Sequence, residues 1–239
     1  MHIPPFDNKN RPIIGIENNI VPNIYFNIVK LSKDEEFSIC LKDHEICIVP
    51  ATGTIEVKIV GKTFENIGNR TTDVWDGEPE CIYIPCNQEA LIKCISKKCE
   101  LFIAGAKYDK ILEPFVVRSK DIDLIQYGSD NTKTHRKIKH LLGQKQSNLV
   151  GRLLVSELFT VGAGGWSGFP SHKHDTDRLP LETKHDETYN FRFKPYHGSA
   201  LQLLQSEKEG HGKAFHIVNG STFCIYNGYH PVCSLPGYE

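Results

Sequence analysis

Four residues of this chain have the types and spacing to hold a metal ion: His172, His174, Glu187 and His230. His172 and His174 stand at i and i+2 in "HKHD", so on a strand their imidazoles share one face. The Gly-rich "VGAGGWSGFPS" ahead of them lets the backbone turn tightly and approach a site closely. Glu187 opens the strand-like run "ETYNFRF", from which a neighbouring strand would bring a carboxylate to the same centre. Downstream, "NGYHP" places His230 after a glycine turn. Three imidazoles and a carboxylate make a mixed N/O set suited to Mn, Fe, Ni, Co or Zn. By spacing alone a polar, histidine-containing loop is an equal reading, because a β-rich chain with 11 histidines offers such triples.

The elements that must position these residues read as strands. In "TIEVKIV", Ile55, Val57 and Ile59 alternate with Glu56 and Lys58, the period of a half-buried strand. "EFSICL", "EICIVP", "ECIYIP", "ALIKCI" and "ELFIAGA" are similar short runs, separated by turn signals such as "ATG", "VGK" and "DGEP". The pattern lapses from about residue 114 to 147, read as a polar connector with a short helix near "HRKIKHLL". Strands resume in "GRLLVSELFTV", "ETYNFRF", "SALQLLQ", "KAFHIV" and "STFCIY". The expectation is an all-β chain of two halves: residues 1–118, a connector at 119–147, and 148–239.

Bulk composition narrows the functional classes. The chain has 239 residues, 39% hydrophobic and 24% charged, enough to build a packed core. A net charge of −1 gives no general attraction to nucleic acid or anionic lipid. No basic segment followed by an apolar run opens the chain, and no stretch reaches the ~18 apolar residues of a membrane helix, so a cytoplasmic protein is expected. The eight cysteines form no C-x-x-C pair and sit mostly in strand-like runs, as reduced buried thiols do.

An H-x-H, a later Glu and a last His after a glycine turn resemble the cupin metal pattern. More narrowly, "GGWSGFPSHKHDTDRLPLE", "DETYNFRF" and "GYHPV…PGY" resemble the 5-deoxy-glucuronate isomerase family of inositol catabolism. "GNRTTDVWDGEPECIYIP" and "YGSDNTKTHRKIKHLL" are similar to that family's first half and connector, so the likeness spans roughly residues 45 to 238. It implies a bicupin, two tandem cupin β-barrels (double-stranded β-helices), with one divalent metal ion (Zn, Mn, Ni, Co or Fe) in the second barrel only. The implied ligands are His172, His174, Glu187 and His230. The first half has His44 but no H-x-H. Asp186 and Asn190 depart from the family's Glu-Glu and Y-Y-Y pattern, Tyr226 stands where a proline is common, and the family's usual further strand lies beyond "PGYE".

The implied reaction is aldose–ketose isomerisation of a deoxy-uronic acid, 5-deoxy-glucuronate to 5-dehydro-2-deoxy-gluconate. Alternatives are a related 4-deoxy-hexosulose-uronate isomerase and a non-catalytic cupin that binds a metal or sugar acid. Such chemistry needs a base that shuttles a proton and a cation for the substrate carboxylate. Asp175 and Glu182, flanking the ligand pair, are candidates for the base or for holding the ligands. Arg178 is favoured over Arg192 as carboxylate anchor, because Arg192, at i+5 from Glu187, faces the other way on a regular strand. Tyr189, at i+2 from Glu187, is a pocket wall or hydrogen-bond donor; Lys173, between two ligands, is read as structural. The expected partner is a small sugar acid, not nucleic acid or membrane, with homo-oligomerisation left open.

Overall fold

The structure, a computed structural model, describes residues 1–239. It is all-β apart from two short 3-10 turns. In the first half, strands Phe115–Val117, Cys81–Ile84, His44–Thr52, Lys98–Lys107 and Ile24–Ser32 form a five-stranded sheet in that order. Glu36–Ile39, Ala90–Cys94, Ile55–Ile59 and Lys62–Ile67 form a four-stranded sheet. The two share one apolar core: Val29, Ile46, Ile48, Ile82 and Leu101 come from the first, Ile55, Val57, Ile59 and Ile92 from the second. The alternation read in "TIEVKIV" is borne out, with Ile55, Val57 and Ile59 buried and Lys58 exposed. Each such buried Val or Ile contributes about 1.5–3 kcal/mol over an exposed one.

The second half pairs Gly165–Ser167, Val232–Ser234, Ser199–Leu204 and Lys213–Val218 in one sheet, and Thr222–Ile225 with Glu187–Asn190 in another. Its core is more aromatic: Phe193, Phe223, Ile217, Ile225 and Val232 are buried, with Tyr189, Phe191 and Phe215 packed against them.

Three expectations need correction. "HRKIKHLL" is no helix; Arg136–Leu142 is a strand between Leu124–Tyr127 and Val155–Thr160. Its positive charge hides the period, because Lys139 finds its partners only in the folded chain. Lys139 Nζ is 2.7 Å from Glu78 and lies over the Phe159 ring. Second, the strand-like runs of the first half are joined by one more, Ile24–Ser32, at an edge of the five-stranded sheet. Third, the chain's start joins the second half, with His2 paired to Phe223 and Ile3 to Thr222.

Polar contacts lock the halves. Glu45, fully buried, accepts hydrogen bonds from Tyr83 Oη and from the backbone N–H of Gly151, Arg152 and Leu153 at 2.6–2.8 Å. Arg70 makes a bidentate pair with Glu157 at 2.7 and 2.6 Å. Leu141, Leu142 and Leu153 pack on Cys47, Val49, Cys81 and Tyr83 of the first half. All eight cysteines are free thiols.

Candidate metal centre

The histidine pair sits on an irregular segment beyond strand Gly165–Ser167, not on a strand as expected, yet both rings reach the same centre. His172 and His174 have ring centroids 6.1 Å apart, and each lies 4.7 Å from that of His230. Their ligand atoms all fall within 4.8 Å of one another, so the three can hold a metal ion. Glu187, first residue of its strand, brings Oε2 to 2.8 Å from His174 Nε2 and 3.3 Å from His230 Nε2. His172 is exposed, while His174 and His230 are buried, so the centre opens on one side.

Backbone carbonyls fix the tautomers. His172 Nδ1 faces Pro170 O at 3.3 Å, His174 Nδ1 faces His185 O at 2.9 Å, and His230 Nδ1 faces Gly228 O at 2.9 Å. A carbonyl oxygen only accepts, so each Nδ1 carries the proton and each neutral ring presents a lone pair at Nε2. The three Nε2 atoms then converge on the Glu187 carboxylate, with His174 Nε2 2.8 Å from Oε2, a set of N and O atoms that a cation satisfies. His230 Nε2 is buried and has no hydrogen-bond partner, which is what a ligand nitrogen looks like without its ion. The residues therefore fit a divalent metal.

The same electrostatics show in the titration directions. Burial disfavours charge on Glu187, but its contacts with His174 and His230 outweigh this and hold it well below the usual carboxylate range. Burial also opposes charging of His174, and Glu187 reverses the effect, raising it. Burial and the neighbouring His230 lower His172. Burial, with the Glu187 charge, drives the Tyr189 phenol well above its ordinary value, so Tyr189 stays a neutral donor.

The remaining candidates fall into two groups. Tyr189 and Glu187 line a cavity of about 1030 Å³ between the two halves, walled on the other side by Tyr25, Trp75 and Gly105 of the first half; Asp175, Glu182 and Arg178 do not line it, and of the four candidate ligands Glu187 alone does. Those three belong to an ion network centred on Lys173, whose ammonium, 5% exposed, lies 2.8 Å from Asp175 and 2.9 Å from Glu182. Glu182 also accepts from Arg178 and from the N–H groups of Asp175 and Thr176. Arg178 and Lys173 together press its pKa far down. Asp175 Oδ2 accepts from Gly228 N–H at 2.7 Å, and Gly228 O accepts from His230. One chain of contacts thus ties the H-x-H segment to the turn carrying the last ligand. Gly228 has φ +81°, and a Cβ there would lie 2.5 Å from Gln205 O, so the turn requires glycine.

Arg192 lines the same cavity as Glu187 but is already paired, bonding Glu100 at 2.6 Å and lying over Phe102. The sequence reading passed over His185, whose ring stacks on His174 at 3.6 Å and 17°. Its place two residues before Glu187 was the available signal. Asp186 accepts from Asn23 of the first half, and Asn190 donates to Gly220, Ser221 and Thr222, so both departures from the family pattern have structural partners.

The chain matches the KduI/IolB family over residues 2–239. A 5-deoxy-glucuronate isomerase from Halalkalibacterium halodurans is 30% identical over 227 residues, covering 94% of this chain and 82% of the relative. One from Bacillus subtilis (strain 168) is 29% identical, with 94% and 81% covered. Among solved structures, an IolB-like protein from Salmonella typhimurium LT2 superposes with TM-score 0.83 at 27% identity, covering 90% of this chain and 80% of that one. An oxalate decarboxylase, 10% identical with TM-score 0.62 over 90% of this chain and 66% of its own, shares the fold. The family match spans nearly the whole chain, the relatives align over 94% of it, and the architecture is shared; the chain belongs to the KduI/IolB family.

Proposed function

We propose that this chain is a metal-dependent aldose–ketose isomerase converting 5-deoxy-glucuronate to 5-dehydro-2-deoxy-gluconate. The observation that carries the reading is the convergence of three Nε2 lone pairs and the Glu187 carboxylate beside a cavity large enough for a sugar acid. The names of the relatives supply the substrate. His172, His174, Glu187 and His230 would hold one divalent ion (Zn, Mn, Ni, Co or Fe). When bound, it would polarise the substrate's carbonyl and hydroxyl oxygens and stabilise negative charge developing on them.

The chain's own residues do the rest. Tyr189, kept neutral by burial and by the neighbouring Glu187 charge, lines the cavity as a donor available to the substrate. Asp175, Glu182 and Lys173 act by holding the ligand segment, not by moving the substrate's proton. Arg178 is neutralised by Glu182, and Arg192 by Glu100. Arg152 lines the cavity with no carboxylate paired to its guanidinium, so we assign it the substrate carboxylate. The test is proton NMR of metal-loaded protein given 5-deoxy-glucuronate or a 4-deoxy-hexosulose-uronate in parallel. The reading expects the ketose to form from the first at the higher kcat/KM. Turnover of only the second would replace the substrate, and turnover of neither would leave a binding protein.

A further inference from the structure

An isomerase must move a proton, and the acidic residues beside the ligands are committed to Lys173 and backbone N–H groups. Another side chain in the cavity has the right chemistry. His140 lies on Arg136–Leu142, whose odd-numbered residues face the first half: Lys139 pairs with Glu78, and Leu141 packs on its sheet. The even face, Ile138 and His140, lines the same cavity as Glu187 and Tyr189. Directly opposite stands Ser156, and His140 Nδ1 lies 2.7 Å from Ser156 Oγ, while Nε2 has no protein partner. The register slips between His140 and Leu142, a bulge of the kind that re-aims a side chain. A Cβ on Gly143 would come 2.7 Å from His140 Cβ, so the glycine makes room for the residue in this position.

We propose that His140 is the catalytic residue that transfers the proton between C2 and C1 of the sugar acid, with Ser156 positioning its ring. This rests on the isomerase reading. With Nδ1–H donated to Ser156 Oγ, Nε2 carries the lone pair. It takes the proton from C2; the C2–H electron pair becomes the C1–C2 double bond, and the carbonyl oxygen at C1 gains the proton lost by the C2 hydroxyl. The imidazolium then returns its proton to C1, and C2 becomes the ketone. C2 is oxidised as C1 is reduced, so no outside oxidant or reductant enters.

The test uses metal-loaded full-length protein, with His140→Gln and His140→Ala beside the wild type. Loss of a proton-transfer group should lower kcat by about 100-fold or more, with KM within a few-fold, and with metal content and far-UV CD unchanged. Added imidazole should restore part of the kcat of His140→Ala, which a structural role would not allow. If His140→Gln keeps kcat within about three-fold, well short of a lost general base, the proposal fails while the isomerase reading stands. If either variant loses its metal or its CD signal, His140 is structural and the proposal fails. If the wild type turns over neither sugar acid, the isomerase reading fails and takes this one with it.

Discussion

The metal centre depends on which atom each residue presents. The three imidazoles offer Nε2 because Pro170, His185 and Gly228 take their Nδ1 protons through backbone oxygens. His174→Ala should therefore abolish stoichiometric metal binding, as read by elemental analysis. It should leave far-UV CD intact, with a stability loss on the order of a few kcal/mol at most. Glu182 supports a prediction with a definite sign. Its folded pKa is depressed, so it adds stability above its unfolded value near 4.5 and loses it as pH falls through the folded value. Glu182→Gln should be less stable than wild type in urea at pH 7, and the gap should close as pH falls below about 4.5; a gap independent of pH would remove the ion network from the account. The four candidate ligands were legible as residue types. The roles of Asp175 and Glu182 were not, because their partners are Lys173 and backbone N–H groups set by a loop path that sequence spacing does not encode.

At the scale of elements, alternation made the apolar strands readable. Ile55–Ile59 and Ala90–Cys94 bury every second residue, so each announces its own face. Arg136–Leu142 announces nothing alone: Lys139 reads as solvated until Glu78 and Phe159 are beside it. That strand carries one wall of the cavity, so the gap in the sequence reading was also a gap in the site. Lys139→Glu should set two carboxylates together and remove the cation from the Phe159 face. The expected cost is about 1–3 kcal/mol in chemical denaturation; a neutral result would mean that Lys139 is solvated as it looks in the sequence. The candidate ligand pair needs no strand, since the Lys173 network and the Gly228 turn hold its segment in place.

At the scale of the whole molecule, the halves are joined by buried polar contacts that no local pattern reveals. Glu45 is the strongest, with its oxygens taken by Tyr83 and three consecutive N–H groups of the second half. Glu45→Ala would leave these buried donors unpaired and should cost about 3 kcal/mol or more. It should also split one cooperative unfolding transition into two, visible by calorimetry. The first half thus acts as the platform on which the wall strand Arg136–Leu142 rests, through Leu141 and Lys139. The account's central claim is that isomerisation requires one ion held by His172, His174, Glu187 and His230. Its most direct measurement is the rate of 5-deoxy-glucuronate conversion as metal is titrated into chelator-stripped protein. The account predicts negligible turnover without metal, a rate that rises linearly and levels off at one equivalent per chain, and no such rise for Glu187→Gln. Conversion by the stripped protein at the rate of the loaded one would contradict it.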